Sequence, residues 1–89
     1  MAWTIEFTDQ ARRQFKALDR SDAARIRRFL TERLADTGNP RTLGRALKGS
    51  ELGGYWRFRV GDYRLVCEIQ DSRLVILVIA VGHRRDVYR

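Results

Sequence analysis

The second half of the chain alternates apolar and polar residues with a period of two, and that pattern limits what it can become. From Tyr55 to Val60, Trp56, Phe58 and Val60 fall on one side and Arg57 and Arg59 on the other. Gly61-Asp62 is a two-residue hairpin signal, and Tyr63 to Gln70 alternates again. Asp71-Ser72 marks a second turn, after which residues 73–81 read as a third strand. A two-residue turn fixes the register: Val60 faces Tyr63, Arg59 faces Arg64, Phe58 faces Leu65, Arg57 faces Val66 and Trp56 faces Cys67. Placing Gln70 opposite Arg73 then sets Ile79 beside Arg64, with Val81 next along. The third strand is apolar on both faces, so it belongs in the interior of the sheet.

The first half supplies what covers the sheet. Residues 3–7 alternate as a strand, with Trp3, Ile5 and Phe7 on one side. Thr8 can cap a helix whose apolar face is Ala11, Phe15 and Leu18. A second helix restarts at Asp19 or Ser21 and carries Ala23, Ile26, Leu30 and Leu34 as its stripe, with Phe29 beside it. Gly38 is placed to end that helix, before the break at Asn39-Pro40. Residues 41–54 read as a loose connection holding Gly44, Gly49, Gly53 and Gly54 and the cations Arg41, Arg45 and Lys48. The order is β-α-α-β-β-β. The expected fold is α+β, with two N-terminal helices on one face of a small, mainly antiparallel sheet. At 89 residues, the whole span 1–89 is one domain.

The opposite face carries the charge. The chain has 18 Lys and Arg against 11 Asp and Glu, a net +7, and every cation except Lys16 and Lys48 is arginine. Guanidinium presents a planar fork of donors that matches phosphate oxygens, which points to a polyanionic partner. Arg57, Arg59 and Arg64 share one patch of the sheet. Directly opposed like charges destabilise a strand pair, so Arg59 against Arg64 suggests an anion site, the alternative being a solvated face with splayed side chains. Beyond the last strand follow His83, Arg84, Arg85 and Tyr88. Cations that stabilise a phosphorane, beside an imidazole and a phenol that can move protons, suit phosphodiester chemistry. One cysteine, Cys67, and one histidine, His83, allow neither an internal disulfide nor a zinc-type ligand set. Cys67 falls on the core side and reads as packing, and nothing in the sequence places Glu51 as a base. The first residues lack the pattern of a signal peptide, and no apolar run is long enough to span a bilayer. These features suggest the cytoplasm.

The run YWRFRVGDYRLV over residues 55–66 resembles the central signature of the RelE/ParE toxin superfamily, and VGHRRDVY over residues 81–88 resembles its RelE branch. Ala11-Arg12-Arg13, Lys16-Ala17-Leu18 and Leu47-Lys48-Gly49 fit as well, so the resemblance spans essentially the whole chain. It implies the toxin of a type II toxin–antitoxin system, a ribosome-dependent mRNA endoribonuclease needing no metal or cofactor. Its expected partners are a RelB-like antitoxin and the 70S ribosome with its message, with operator DNA reached only through the antitoxin complex and no membrane involved. By the same resemblance Arg64 contacts the scissile phosphate, Arg84 stabilises the transition state and Tyr88 orients the substrate. Arg57 and Arg59 stand on a face where relatives often carry lysine. Arginine holds its proton in practice, so they bind RNA along with Arg45, Lys48 and Arg85. His83, whose side-chain type titrates near neutrality, becomes the expected proton acceptor. Two other functions compete: a ParE-like gyrase inhibitor on the same fold, and a basic nucleic-acid-binding module without catalysis.

Overall fold

The computed structural model describes residues 3–49 and 53–83. Strand β1 (Thr4–Phe7) leads directly into α1 (Asp9–Lys16), which starts where Thr8 Oγ1 accepts the Ala11 N–H at 3.1 Å. The second helix, α2 (Arg20–Arg28), starts at Asp19, whose carboxylate accepts the Asp22 N–H at 2.8 Å. Both caps fall at residues the sequence singles out. Past Arg28 the helix widens into a π-type stretch, Phe29–Leu34, closed by an i→i−5 bond from the Ala35 N–H to the Leu30 carbonyl at 2.9 Å. That wider turn buries Phe29, Leu30 and Leu34 together. The helix therefore ends at Leu34, ahead of Gly38, which lies in the bend that follows.

The segment expected to be a loose connection is more ordered than its glycines suggest. Asn39 Oδ1 accepts the Arg41 N–H at 3.1 Å and opens a 3₁₀ turn, Pro40–Leu43, with Pro40 at its first position. A short strand, β2 (Arg45–Ala46), then pairs antiparallel with β3 (Tyr55–Val60), Arg45 opposite Arg57 and Ala46 opposite Trp56. A two-residue strand shows no alternation, which is why pattern alone misses it. Gly44 marks the crossing: a Cβ there would lie 2.6 Å from the Arg57 carbonyl oxygen and 2.7 Å from the Phe58 ring.

Among the described residues the sheet has five strands in the order β1-β5-β4-β3-β2. Between β3 and β4 (Tyr63–Gln70) every expected pair is present, and Gly61 adopts φ +60° at the turn. Strand β5 (Val75–His83) is interior, antiparallel to β4 and parallel to β1. Its register departs from expectation. The turn is four residues long, bonded from the Arg73 N–H to the Gln70 carbonyl and from the Leu74 N–H to the Asp71 carbonyl, with Leu74 at φ 53°. Gln70 therefore faces Val75. A bulge beside Val66/Cys67 then shifts the pairing, so that Arg64 faces Gly82 and Leu65 faces Val81. Val81 thus belongs to the core rather than to the arginine face.

Helices and sheet meet in one core. Ala11, Ile26, Phe29, Leu30 and Leu34 pack against Phe58, Val60, Leu65, Cys67, Ile76, Val78 and Val81. All come from one face of the sheet. Among the described residues no helix lies over the other face, and this asymmetry positions the candidate site.

Candidate nucleic-acid interface

The register places Arg45, Arg57, Arg59 and Arg64 on the uncovered face, across three adjacent strands. Arg45 is opposite Arg57, and Arg59 is opposite Arg64. Arg64 is only 9% exposed, while Arg57 is half-buried and Arg59, Arg45 and Lys48 are exposed. The burial of Arg64 differs from the exposed strand arginine that alternation implies. Beside it on the same face Val66 is buried, and Gly82 opposite brings no side chain. Arg57 Nε is buried and makes no hydrogen bond among the described residues. Orphaned buried donors are rare in folded proteins and require an explanation, and an anion between these guanidinium groups supplies one. Thr42, Leu43, Gly44, Arg45, Arg57 and Arg59 enclose a pocket of about 170 Å³ beside them.

Arg59 also borders a second hollow of about 300 Å³ on the far side of the hairpin, with Arg25, Arg28, Arg33 and Glu32 from the second helix. Positive charge thus runs from the open sheet face around the β3 edge and onto the helices. Sequence reading missed this extension, although Arg25 and Arg28 stand three residues apart and so share a helix face. Arg41, by contrast, is engaged, with a bidentate pair to Asp71 at 3.0 and 2.7 Å. That pairing raises the Arg41 pKa and lowers that of Asp71.

His83 lies elsewhere. It faces Tyr63 across the β4–β5 ladder, the two rings meeting edge to face with centroids 5.8 Å apart. Both continue the row of Leu65 and Val81, on the helix-covered side of the sheet. His83 is therefore at the expected end of β5 but on the opposite face from Arg64, and the two do not converge. The bulge changes the parity of β5, and no sequence rule indicated it. The Asp22 carboxylate beside the Tyr63 hydroxyl holds the phenol above its ordinary pKa. Cys67 is fully buried, its thiol pushed up by desolvation, in keeping with a packing role. Arg84, Arg85, Tyr88 and Glu51 lie outside the described residues.

A third hollow, of about 380 Å³, opens between β1 and the helices. Ile5, Phe7, Phe15 and Leu30 line it, and Arg12, Lys16 and Arg27 border it. Arg27 sits over the Phe15 ring at 5.4 Å. None of the described helices is long and apolar enough to cross a membrane.

Comparison with known proteins locates this architecture. The family model for the ParE toxin of type II toxin–antitoxin systems matches residues 5–88. The toxin RelG of Mycobacterium tuberculosis is 34% identical over 89 residues, which cover 100% of this chain and 99% of RelG. The mRNA interferase toxin RelE of Escherichia coli is 29% identical over 90 residues, covering 99% of this chain and 92% of RelE. Among solved structures, the toxin–antitoxin complex RelBE2 of M. tuberculosis contains a chain matching at TM-score 0.83 and 31% identity, covering 94% of this chain and 100% of that one. The isolated E. coli RelE toxin shares the fold at TM-score 0.71 and 23% identity, covering 92% and 84% respectively.

Proposed function

Because this chain belongs to the ParE toxin family of type II toxin–antitoxin systems, we propose that it is a ribosome-dependent mRNA endoribonuclease. It acts in the cytoplasm, cutting messages in the A site of the 70S ribosome and so stopping translation. The observation that carries this reading is the uncovered sheet face with Arg45, Arg57, Arg59 and a buried Arg64. Such a face suits a phosphodiester whose charge rises during reaction. The 2′-oxygen of the message attacks the adjacent phosphorus, the 5′-oxygen leaves, and a 2′,3′-cyclic phosphate remains. Arg64 and Arg84 hold the charge that develops on the phosphoryl oxygens. The other arginines, with Lys48 and Arg85, hold flanking phosphates. Tyr88 stacks on a base and, since arginine cannot take the 2′-hydroxyl proton, its phenolate form is the candidate for receiving that proton, with water supplying the proton that the departing 5′-oxygen takes up. No metal or cofactor takes part in this scheme.

The partner that silences the chain is a RelB-like antitoxin, which also brings it to operator DNA. An acidic amphipathic segment suits the hollow between β1 and the helices, with apolar residues against Phe7, Phe15 and Leu30 and carboxylates toward Arg12, Lys16 and Arg27. The deciding experiment is induction of this gene alone, with mapping of message 5′ ends. Cuts in phase with codons, absent when the same RNA is offered without ribosomes, are the expected result. Intact messages with gyrase trapped on DNA would instead assign the gyrase-inhibiting activity.

A further inference from the structure

The hollow of about 300 Å³ behind the β3–β4 turn takes no part in the chemistry described above. Arg25, Arg28 and Arg33 reach it from the helical side and Arg59 from β3, with Phe29, Val60 and Gly61 between them. Like charges this close on one helix cost stability. Arg25, Arg28 and Arg59 are exposed, and among the described residues none of the three makes a hydrogen bond or an ion pair. The turn leaves room for one of them. Gly61 sits at φ +60°, and a Cβ there would lie 2.6 Å from Arg25 Nη1, so the bare glycine leaves the space that this guanidinium takes.

The hollow is continuous with the arginine face through Arg59, which lines both it and the pocket formed with Arg45 and Arg57. The sheet edge is open at that point. Strand β2 pairs with Trp56 and Arg57 only, so among the described residues β3 has no strand on its outer side from Phe58 to Val60. A chain lying on the open face can therefore round the β3 edge at Arg59 without crossing a strand. Glu32, which also lines the hollow, narrows the choice of chain. Its carboxylate repels a phosphate at its own end and suits the amino group of an unpaired base, which a single strand offers and a duplex does not.

We propose that this hollow is a second contact site for the substrate. The single-stranded message held at Arg64 continues over Arg57 and Arg59, rounds the β3 edge and lays further phosphates against Arg25 and Arg28. This rests on the reading of the open face as the message-binding surface and extends it beyond the reacting phosphate. Arg25 and Arg28 bind substrate here and touch no reacting atom. Phosphate contacts of this kind add affinity and fix register without reading sequence.

The test uses oligonucleotides with 2′-O-methyl riboses, which lack the attacking hydroxyl and stay intact, in lengths of three and nine nucleotides. Affinity is read by fluorescence anisotropy over a range of salt, and contact by amide NMR shifts. Wild type should bind the nonamer well above the trimer, and the nonamer alone should shift the amides of Arg25, Arg28 and Arg33. The Arg25→Gln, Arg28→Gln double variant should weaken nonamer binding by about tenfold and trimer binding by less than about twofold, with the slope of log affinity against log salt falling by about 1.4. Arg13→Gln with Arg73→Gln removes equal charge from exposed positions that line neither hollow, and should keep the length dependence of wild type. Equal loss at both lengths, or helix amide shifts with the trimer, would make the hollow a separate anion site and overturn the continuous track. Wild-type nonamer binding by the first double variant would overturn it as well, and weaker ribosome binding in that variant would then assign the hollow to ribosomal RNA. A wild-type protein whose nonamer contacts reach Arg25 and Arg28 but that cuts no message on ribosomes overturns the nuclease reading alone.

Discussion

The β3–β4 hairpin presents two faces that differ in kind. Toward the helices, Phe58, Leu65 and Cys67 are fully buried, with Val60 nearly so. Toward the open side, the same strands carry Arg57, Arg59 and Arg64, with Arg45 added from β2. One backbone serves both, since successive side chains point to opposite faces. The apolar face supplies burial that stabilises the fold. The cationic face sets arginine against arginine at Arg59 and Arg64, a pairing that opposes folding. A small domain has little stability to give up, so such a face indicates that charge concentration is what this surface is for.

The separation is sharpest where a core residue is cut back. Phe58→Ala should lower stability by about 3–5 kcal/mol, enough to unfold much of the population, measured by urea denaturation. Retention of a native-like midpoint would show that the helix-covered face is not where stability resides. Next in size is Arg64→Ala, which should slow message cleavage by about 10²-fold or more through loss of one transition-state contact. Because Arg64 is buried, its removal should also cost on the order of 1 kcal/mol in stability. Collapse of the fold would mean that the two faces are not separable.

A change on neither face should move stability without moving activity. Leu74 holds φ 53° while 48% exposed, a backbone region that asparagine tolerates far better. Leu74→Asn should raise stability by about 0.5–1 kcal/mol, read as a higher melting temperature at an unchanged cleavage rate. The smallest effect concerns Asp71, whose carboxyl is held below its ordinary value by Arg41. A depressed folded-state pKa lends stability above the unfolded carboxylate range and loses it as pH falls through the folded value. Wild type should therefore exceed Asp71→Asn slightly at pH 7. The gap should vanish on acidification below the ordinary carboxylate range and shrink in high salt. A gap that persists in acid would assign Asp71 a role other than its charge.

Much of this organisation was legible in the residues. Period-two alternation and the Gly61-Asp62 turn determined the β3–β4 register, and Thr8 and Asp19 announced both helix starts. What escaped notice depended on geometry without a residue code. Strand β2 has only Arg45 and Ala46 and exists because Gly44 lets the chain approach Arg57 and Phe58 closely. The four-residue turn at Leu74 and the bulge beside Val66 together moved Val81 into the core and His83 to the Tyr63 side. A single inserted residue reverses every later side chain, which is why the arginines of the hairpin were placed correctly and the histidine beyond the bulge was not.

The parallel pairing of β1 with β5 has a consequence in time. The interior strand β5 is made after every other described strand, and residues 75–83 must leave the ribosome before β1 and β4 acquire the neighbour that joins them. Contacts between such distant segments form slowly. Until β5 is made, neither Arg64 nor Tyr63 faces its β5 partner. Until closure the arginine face is incomplete, and that interval is when a partner already present can meet the chain while its core is still exposed.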